Sequence, residues 1–541
     1  MSGAKAGMSG AAPTVTITPP KKENMVVAPA TGKVFEPKTD PIQPSQEQMR
    51  ALVEASMPSE LEEVYEKMWA VDGYRNRSPG EELVPYFLEW AGDIPSGSTI
   101  IDWGCGTGRA SKLLYETTDF DITMVDFVDS LNDDIRELAK DNSRLRFVRH
   151  DITKKSPFQA EYGFCTDMME HLRPEDVDVA LSNILLSCKK VYFQISTIGD
   201  VWGWHEDVDF GDLHLTVENY FWWLQKFHDQ ACHVYRSEEY KHNVVFYVSG
   251  WEDSALRFRQ SDTRLNVEEK KRTANIIANS KLKFPHVKPH ITQDVEIMLL
   301  CGGPSVLDYK DEIIQKREAG MPLVTVNGSF NMAIDWGLSP SLQCVLDGRK
   351  FNKRFVVAQI PGYTDTTKFI IATQCDPSLF VGLPEDRTYL WSVSGSMESL
   401  ALTKEHYGKI YEDWFPCDGG TTVSLRALVL LRMLGFYKVH IYGMDSCVGE
   451  AGHHAYDQPE NDDNRIYPIV VGKGKPTERK FDCEPWHIYQ AQDFQGMVPR
   501  FFSDCEFIVY GDGLISSLIE DASSIYIEDK VQEEIDRGNV I

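Results

Sequence analysis

Ser96–Arg109 reads SGSTIIDWGCGTGR. The β-branched run Thr99–Ile101 predicts a buried strand rising into Asp102, and the apolar spacing of the following ASKLLYE predicts the start of a helix. Gly104, Gly106 and Gly108 predict a tight loop between them. Glycines at such a turn let a ligand approach the backbone, and the loop amides face it. The carboxylate at the strand end sets this loop apart from a dinucleotide fingerprint, because it would repel a pyrophosphate seated on the helix N-terminus. Asp102 suits a ligand that carries hydroxyls or a positive charge.

Further acids follow in order. Asp126, in ITMVDFVD, ends the next apolar strand, where a Rossmann-like fold places the acid that binds ribose hydroxyls. Asp151, in LRFVRHDI, ends a third strand. EYGFCTDMMEHL reads as a fourth strand ending near Asp167, followed by Glu170 and His171. All of these acids fall at the carboxyl ends of predicted parallel strands, where such sheets bind ligands. KKVYFQIST, the helix TVENYFWWLQKF and the alternating pair CHVYRSEEY and NVVFYVSGW continue the domain.

The pattern DxGCGTG, with these landmarks at βα spacing, resembles motif I of the class I S-adenosylmethionine-dependent methyltransferases. The resemblance implies a seven-stranded sheet with S-adenosylmethionine as cofactor. It places Asp102, Gly104, Gly106, Gly108, Asp126, Asp151 and Asp167 around that cofactor, with Asp151 near the adenine amino group. In this family a helix leading into the first strand often forms a lid. Tyr74 and Arg75 therefore face substrate or cofactor, or else belong to a packing helix and turn.

Composition bounds the partners. At 541 residues the chain should hold two or three domains, and 42% hydrophobic content is ample for their cores. A net charge of −27 argues against a general nucleic-acid binder, which needs clustered Lys and Arg. No run of 18 apolar residues predicts a membrane span, and the first residues lack a signal peptide's apolar core. Eleven cysteines without a CxxC pair fit a reducing cytoplasm (host cytoplasm or virion, were the chain phage-encoded). Residues 1–45 read as a disordered or extended tail able to dock a protein partner. Residues 46–252 form the first domain, 253–292 a charged linker, and 293–541 a second α/β domain. The expected architecture is two Rossmann-like three-layer α/β/α domains joined by that linker.

In the second domain VEIMLLCGGPSV gives a strand whose end carries no acid. Gly302, Gly303 and the Ser305 hydroxyl there make an anion cradle suited to phosphate. Further strands end at Asn327, Asp347 and Asp445. CGGPS, VNGSF, VLDGRK, GGTTVSLRAL, LGFYKVHIYGMD and HHAYD resemble a group of Rossmann-like proteins. It includes archaeal 6-hydroxymethylpterin pyrophosphokinases, flagellin-modifying motility accessory factors and a set of bacterial sialyltransferases. The resemblance implies nucleotide binding by Gly302, Gly303, Ser305, Asn327, Gly420 and Thr421, with Asp445 and Tyr456 near the phosphates or donor sugar. His487, in PWHIYQ, matches the sialyltransferase general base. In a pyrophosphokinase Asp347 and Asp445 would instead hold a magnesium ion. His453 and His454 are a further metal-ligand pair, or solvent-facing loop residues. The GGPS loop departs from the sialyltransferases' GNGPS.

The methyl acceptor is expected to be a small molecule, a sugar or a modified nucleotide. The chain has no [DNS]PP[YF] base-gripping motif after Asp167, and its only Pro-Cys, Pro416–Cys417, is in the second domain. His171 and His214, in DLHLTVENY, are the general-base candidates, with Glu170 able to orient one of them. The leading reading is a methyltransferase fused to a nucleotide-dependent glycosyl- or pyrophosphoryl-transferase-like domain. The alternative is a non-catalytic binding or assembly protein, phage structural proteins included, that uses one or both folds as scaffold.

Overall fold

In the computed structural model the chain divides into two units, one built mainly from Gly32–Phe258 and the other mainly from Arg259–Ile541. The structure describes residues 14–17, 60–71, 75–76, 79–199, 213–230, 232–250, 267–356, 364–393, 397–408, 414–449, 452–458, 465–502, 504–521 and 525–526.

The first unit is a seven-stranded sheet. Its strands are β1 (Thr99–Trp103), β2 (Asp121–Asp126), β3 (Leu145–Arg149), β4 (Ala160–Thr166), β5 (Cys188–Ser196), β6 (Val234–Glu239) and β7 (Asn243–Ser249). Their order is β3-β2-β1-β4-β5-β7-β6. The first five are parallel, and β7 runs antiparallel to both β5 and β6, as the alternation of the last two segments predicted. Near-continuous apolar strands such as TIIDW and AEYGFCT are what a parallel sheet covered on both faces requires. Helices Pro79–Ala91 and Arg109–Thr117 supply Val84, Phe87, Ala110 and Leu114 to a core that includes Ile100, Ile122, Leu145 and Phe164. Strand order reverses between β1 and β4, so the loops at their carboxyl ends open a crevice there.

The second unit has β8 (Ile297–Leu300), β9 (Leu323–Val326), β10 (Leu342–Val345), β11 (Lys368–Ala372), β12 (Thr388–Val393), β13 (Pro416–Cys417), β14 (Lys438–Tyr442) and β17 (Glu506–Tyr510) in one parallel array. The order is β17-β14-β8-β9-β10-β11-β12-β13, with its reversal between β8 and β14. Strands β15 (Tyr467–Val471), β16 (Arg479–Cys483) and β18 (Ile525–Tyr526) form a separate small sheet.

Two boundaries differ from the expected ones. Thr14–Ile17, inside the expected tail, pairs antiparallel with β17 and covers the edge of the large sheet. The rest of residues 1–45 lies outside the described residues. The expected linker contains helix Glu269–Asn279, which is built into the second unit. Asn275 donates to the Gln374 carbonyl, and the buried Asn279 amide donates to the carbonyls of Thr373 and Cys375. These bonds satisfy backbone groups just past β11, so the helix belongs to that fold. No described helix is long and apolar enough to cross a membrane.

Candidate functional site

Gly104, Gly106 and Gly108 adopt φ of 73°, 50° and 79°. An L-residue pays about 1–2 kcal/mol in this left-handed region, so the loop needs glycine for its shape. The loop is tied to the end of β2. Gly104 and Cys105 donate to the Val125 carbonyl at 2.8 and 3.1 Å. One Asp126 oxygen accepts from the Gly106 N–H at 2.8 Å and the other from Val128 at 3.0 Å. Asp102 is 3% exposed and accepts from the Ser111 hydroxyl at 2.6 Å. Burial raises Asp102 to about 7, opposed by the Ser111 bond and aided by the Asp126 charge. Burial likewise raises Asp126 to about 6 against the pull of its backbone donors.

The remaining expected acids take different places. Asp151 is exposed past β3, one oxygen accepting from both the N–H and the hydroxyl of Thr153. Asp167, past β4, has a strained φ of 53°, and its N–H is fixed by both the carbonyl and the side chain of Gln194.

Helix Glu60–Trp69 lies over the glycine loop. A Cβ on Gly106 would sit 2.9 Å from the Trp69 ring. Tyr65 meets Phe127 edge-on at 5.3 Å and joins Met68, Val128 and Leu213 in a small apolar cluster. Arg75 donates to the carbonyls of Trp69 and Leu131. It thus fastens the end of this helix to the loop after β2. Tyr74 lies outside the described residues.

His171 and His214 meet edge-to-face with ring centroids 4.9 Å apart, and Tyr65 packs against His171 at 5.8 Å. His171 Nδ1 is 3.0 Å from the Leu213 carbonyl, and His214 Nδ1 is 2.7 Å from the Ile198 carbonyl. A carbonyl only accepts, so Nδ1 is the protonated nitrogen in each neutral ring and Nε2 carries the lone pair. Glu170, fully buried, organises the segments around this pair. Its carboxyl group accepts from the Ser196 N–H at 2.8 Å and its backbone carbonyl from the Thr216 N–H at 2.9 Å. Burial first, and the Asp167 charge second, push Glu170 well above the carboxylate range.

In the second unit Gly302 and Gly303 are not left-handed; they are glycine because the site is crowded. A Cβ on Gly302 would lie 2.7 Å from the Tyr456 hydroxyl and 2.8 Å from the His454 ring. A Cβ on Gly303 would lie 2.6 Å from Asp445 Oδ2. The Ser305 cradle holds the Asp445 carboxylate, through its N–H at 2.8 Å and its hydroxyl at 2.5 Å. Burial raises Asp445 to about 6, and the Ser305 bonds oppose this. Asn327 (φ 44°) has a buried side-chain oxygen with no hydrogen-bond partner, as does Thr421, and His454 Nδ1 is likewise unpartnered. Burial and the neighbouring His453 push His454 down to about 4, so its ring is neutral at pH 7. Gly420 and Thr421 pack on helix Pro485–Phe501, where the Thr421 N–H donates to Asp493.

Three expectations are corrected. His487 is 1% exposed, and its Nδ1 accepts from the Glu484 N–H as half of a capping box. Burial, then His454 and His453, push it down to about 3, which makes it a structural cap rather than an accessible base. Asp347 and Asp445 do not converge. They follow β10 and β14, three strand positions apart, or ~14 Å at the usual strand spacing. Asp347 is also paired with Arg349, and Asp445 with Ser305, so this pair does not fit one magnesium ion. His453 pairs with Glu484 at 3.6 Å, and no group of three or more His, Cys, Asp or Glu among the described residues is arranged to hold a metal. A basic turn, Lys350–Phe355, follows β10, and its charge density is visible in GRKFNKRF.

Residues 100–190 match the family model of a methyltransferase domain, and residues 270–451 match that of 6-hydroxymethylpterin diphosphokinase MptE-like proteins. A comparison with curated proteins returned no match. Among solved structures, the chain is similar to the Burkholderia thailandensis 1,6-didemethyltoxoflavin-N1-methyltransferase with bound S-adenosylhomocysteine. The identity is 15%, over 39% of this chain and 93% of that one, with a TM-score of 0.28. It is also similar to the N-methyltransferase NodS from Bradyrhizobium japonicum WM9, at 13% identity over 36% and 99% with a TM-score of 0.28. A third is the [4+2]-cyclase SpnF, at 11% identity over 31% and 80% with a TM-score of 0.27.

Proposed function

We propose that the first unit is an S-adenosylmethionine-dependent methyltransferase acting on a small molecule, sugar or modified nucleotide. In the same proposal the second unit binds a nucleotide or related phosphorylated ligand in the manner of a glycosyl- or pyrophosphoryl-transferase-like domain. One observation carries the first part. Three left-handed glycines, the acid that braces them and a tautomer-fixed histidine pair all follow strands of one sheet at their carboxyl ends.

S-adenosylmethionine, when bound, supplies an electrophilic methyl group. Asp126 offers its carboxylate to ribose hydroxyls, Asp151 stands at the adenine side, and Asp102 and the glycine loop line the remainder. Trp69 and Tyr65 exclude water from above. His171 or His214 accepts the acceptor's proton at Nε2, with Glu170 holding both segments in place, and the chain orients the acceptor in line. Support for the second part is the crowded glycine crevice with the unpartnered polar atoms of Asn327 and His454. No magnesium role is proposed.

Calorimetric titration with S-adenosylmethionine tests the first reading. Wild type is expected to bind in the micromolar range and Asp126→Ala to weaken binding about 100-fold, the equivalent of losing charge-assisted bonds. His171→Gln and His214→Gln should leave that affinity intact. One of them should lower turnover of a sugar or nucleotide acceptor about 100-fold. Absence of binding by wild type sinks the methyltransferase reading.

A further inference from the structure

Two glycine loops of the second unit meet one phenol. Gly302 follows β8 and Gly328 follows β9, which are neighbouring strands of the parallel array. A Cβ on Gly302 would lie 2.7 Å from the Tyr456 hydroxyl and 3.1 Å from its Cε1. A Cβ on Gly328 would lie 2.4 Å from Cε2, 2.7 Å from Cζ and 2.9 Å from the hydroxyl. The outer half of the Tyr456 ring therefore lies against bare backbone at the carboxyl ends of two adjacent strands. Strand order reverses beside them, between β8 and β14, and that is where a parallel sheet receives its ligand.

The surroundings are not those of a settled core ring. Asn327, next to Gly328, is held at a φ of 44°, and its side-chain oxygen is buried without a hydrogen-bond partner. The His454 ring meets the same Gly302 position at 2.8 Å, and its Nδ1 is also buried and unpartnered. Unpaired buried polar atoms and a left-handed Asn both cost free energy, and such costs persist where a ligand relieves or uses them. His454 has two aromatic neighbours, Tyr456 and Trp486, with centroids at 5.3 and 5.8 Å. The segment that carries Tyr456, Gly452–Gln458, lines a cavity of about 460 Å³. That volume is typical of small-ligand sites, and it gives the phenol space to turn into.

We infer that the Tyr456 ring is a built-in plug, filling the slot over Gly302 and Gly328 that a flat ring of the second unit's ligand takes when it binds. The ligand class is a heteroaromatic ring carried on a phosphate ester. Its edge bears an N–H or O–H that donates to Asn327 Oδ1, and its face meets the His454 ring. The inference rests on the reading of the second unit as a binder of phosphorylated ligands. A plug lowers the apparent affinity by the fraction of time the slot stands open, so a slot filled about 90% of the time costs about tenfold.

The test is titration of the full-length protein with ATP, GTP, CTP, UTP and inorganic pyrophosphate, followed by calorimetry and tryptophan fluorescence. Tyr456→Leu removes every ring atom that meets either glycine and keeps the stem of the side chain; Tyr456→Ala is the second variant, and circular dichroism checks that each is folded. Both should bind at least one nucleotide about tenfold more tightly than wild type, and Tyr456→Phe should stay within about threefold of wild type. Pyrophosphate has no ring, so its affinity should change less than about threefold in all three variants. Nucleotide binding by the variants where wild type binds none also supports the plug. Unchanged or weaker nucleotide binding in the folded variants overturns it and leaves a phosphate-binding second unit. Binding of pyrophosphate alone, or equal tightening of pyrophosphate and nucleotides, overturns the ring slot in the same way. Failure of wild type and variants to bind any of the five probes overturns the broader reading, and the plug with it.

Discussion

The two units use a glycine-rich loop after the first strand of a parallel sheet, at the point where strand order reverses, for partly different reasons. In the first unit the glycines serve conformation as well as proximity: all three have positive φ, and a Cβ on Gly104, Gly106 or Gly108 would lie 2.4, 2.9 or 2.8 Å from Met168, Trp69 or Leu131. In the second unit they are there for proximity, because Tyr456, His454 and Asp445 press where side chains would begin. Each loop is also held by an acid that accepts a loop N–H at 2.8 Å. Asp126 takes the Gly106 N–H while Gly104, Cys105 and Gly108 donate to backbone carbonyls, whereas Asp445 takes both donors of Ser305. Glycine texture in a sequence therefore reports a close approach without saying whether ligand or protein makes it. Both loops have met their own side chains, and only the first also needs left-handed backbone.

The sharpest way to break this contrast is to relieve one cause at a time. Gly106→Ala meets both a φ of 50° and the Trp69 ring. It should destabilise the first unit by about 2–4 kcal/mol in denaturant unfolding and abolish micromolar cofactor binding. Trp69→Ala removes the ring but leaves the strain, so the double variant should remain at least about 1 kcal/mol below Trp69→Ala. Full recovery in the double variant would show that proximity, not conformation, governs the first loop too.

A second contrast lies in the acids. Asp102 is raised to about 7 and Asp445 to about 6. A carboxylate raised in the folded state binds a proton there that the unfolded chain has released. Its stabilisation is present at low pH and is lost as pH rises from the ordinary value of 3.8 through the folded value. Asp102→Asn removes that dependence. At pH 8 the variant should be more stable than wild type by on the order of 2 kcal/mol, and at pH 5 the gap should shrink. An equal gap at both pH values, measured from unfolding midpoints, rejects a buried titrating Asp102.

Much of the first unit was legible because its strands are apolar runs ending in acids, and strand-end position alone places a residue at the ligand edge. His171 and His214 were legible as residue types near that edge. Their 4.9 Å meeting was not, since it depends on a return of the chain across 43 positions. The second unit was readable as strands and loops but less so as chemistry. Asp445 and Ser305 are 140 positions apart, and nothing local shows that one saturates the other. The Glu269–Asn279 helix passed for linker because it docks through Asn275 and Asn279, whose partners lie 94–99 residues on. His487, by contrast, was within reach: Glu484 three residues before it, with Pro485 between, has the spacing of a reciprocal helix cap.

The smallest effect is the one that tests proximity most cleanly. At Gly328 the three atoms nearest a Cβ all belong to Tyr456, from 2.4 Å outward, and the residue has no positive φ. Gly328→Ala should therefore cost about 1–3 kcal/mol through overpacking. Tyr456→Ala also destabilises, by loss of a ring from the crevice floor. Together the two changes should cost less than their sum by about 1 kcal/mol, because the added methyl enters the space the ring leaves. The same cycle on Gly106 and Trp69 retains the strain term that Gly328 lacks. A Gly328–Tyr456 pair that is strictly additive in unfolding free energy would mean that Tyr456 already moves aside in solution. The crevice would then be open before ligand arrives, and proximity would no longer explain the glycine at 328.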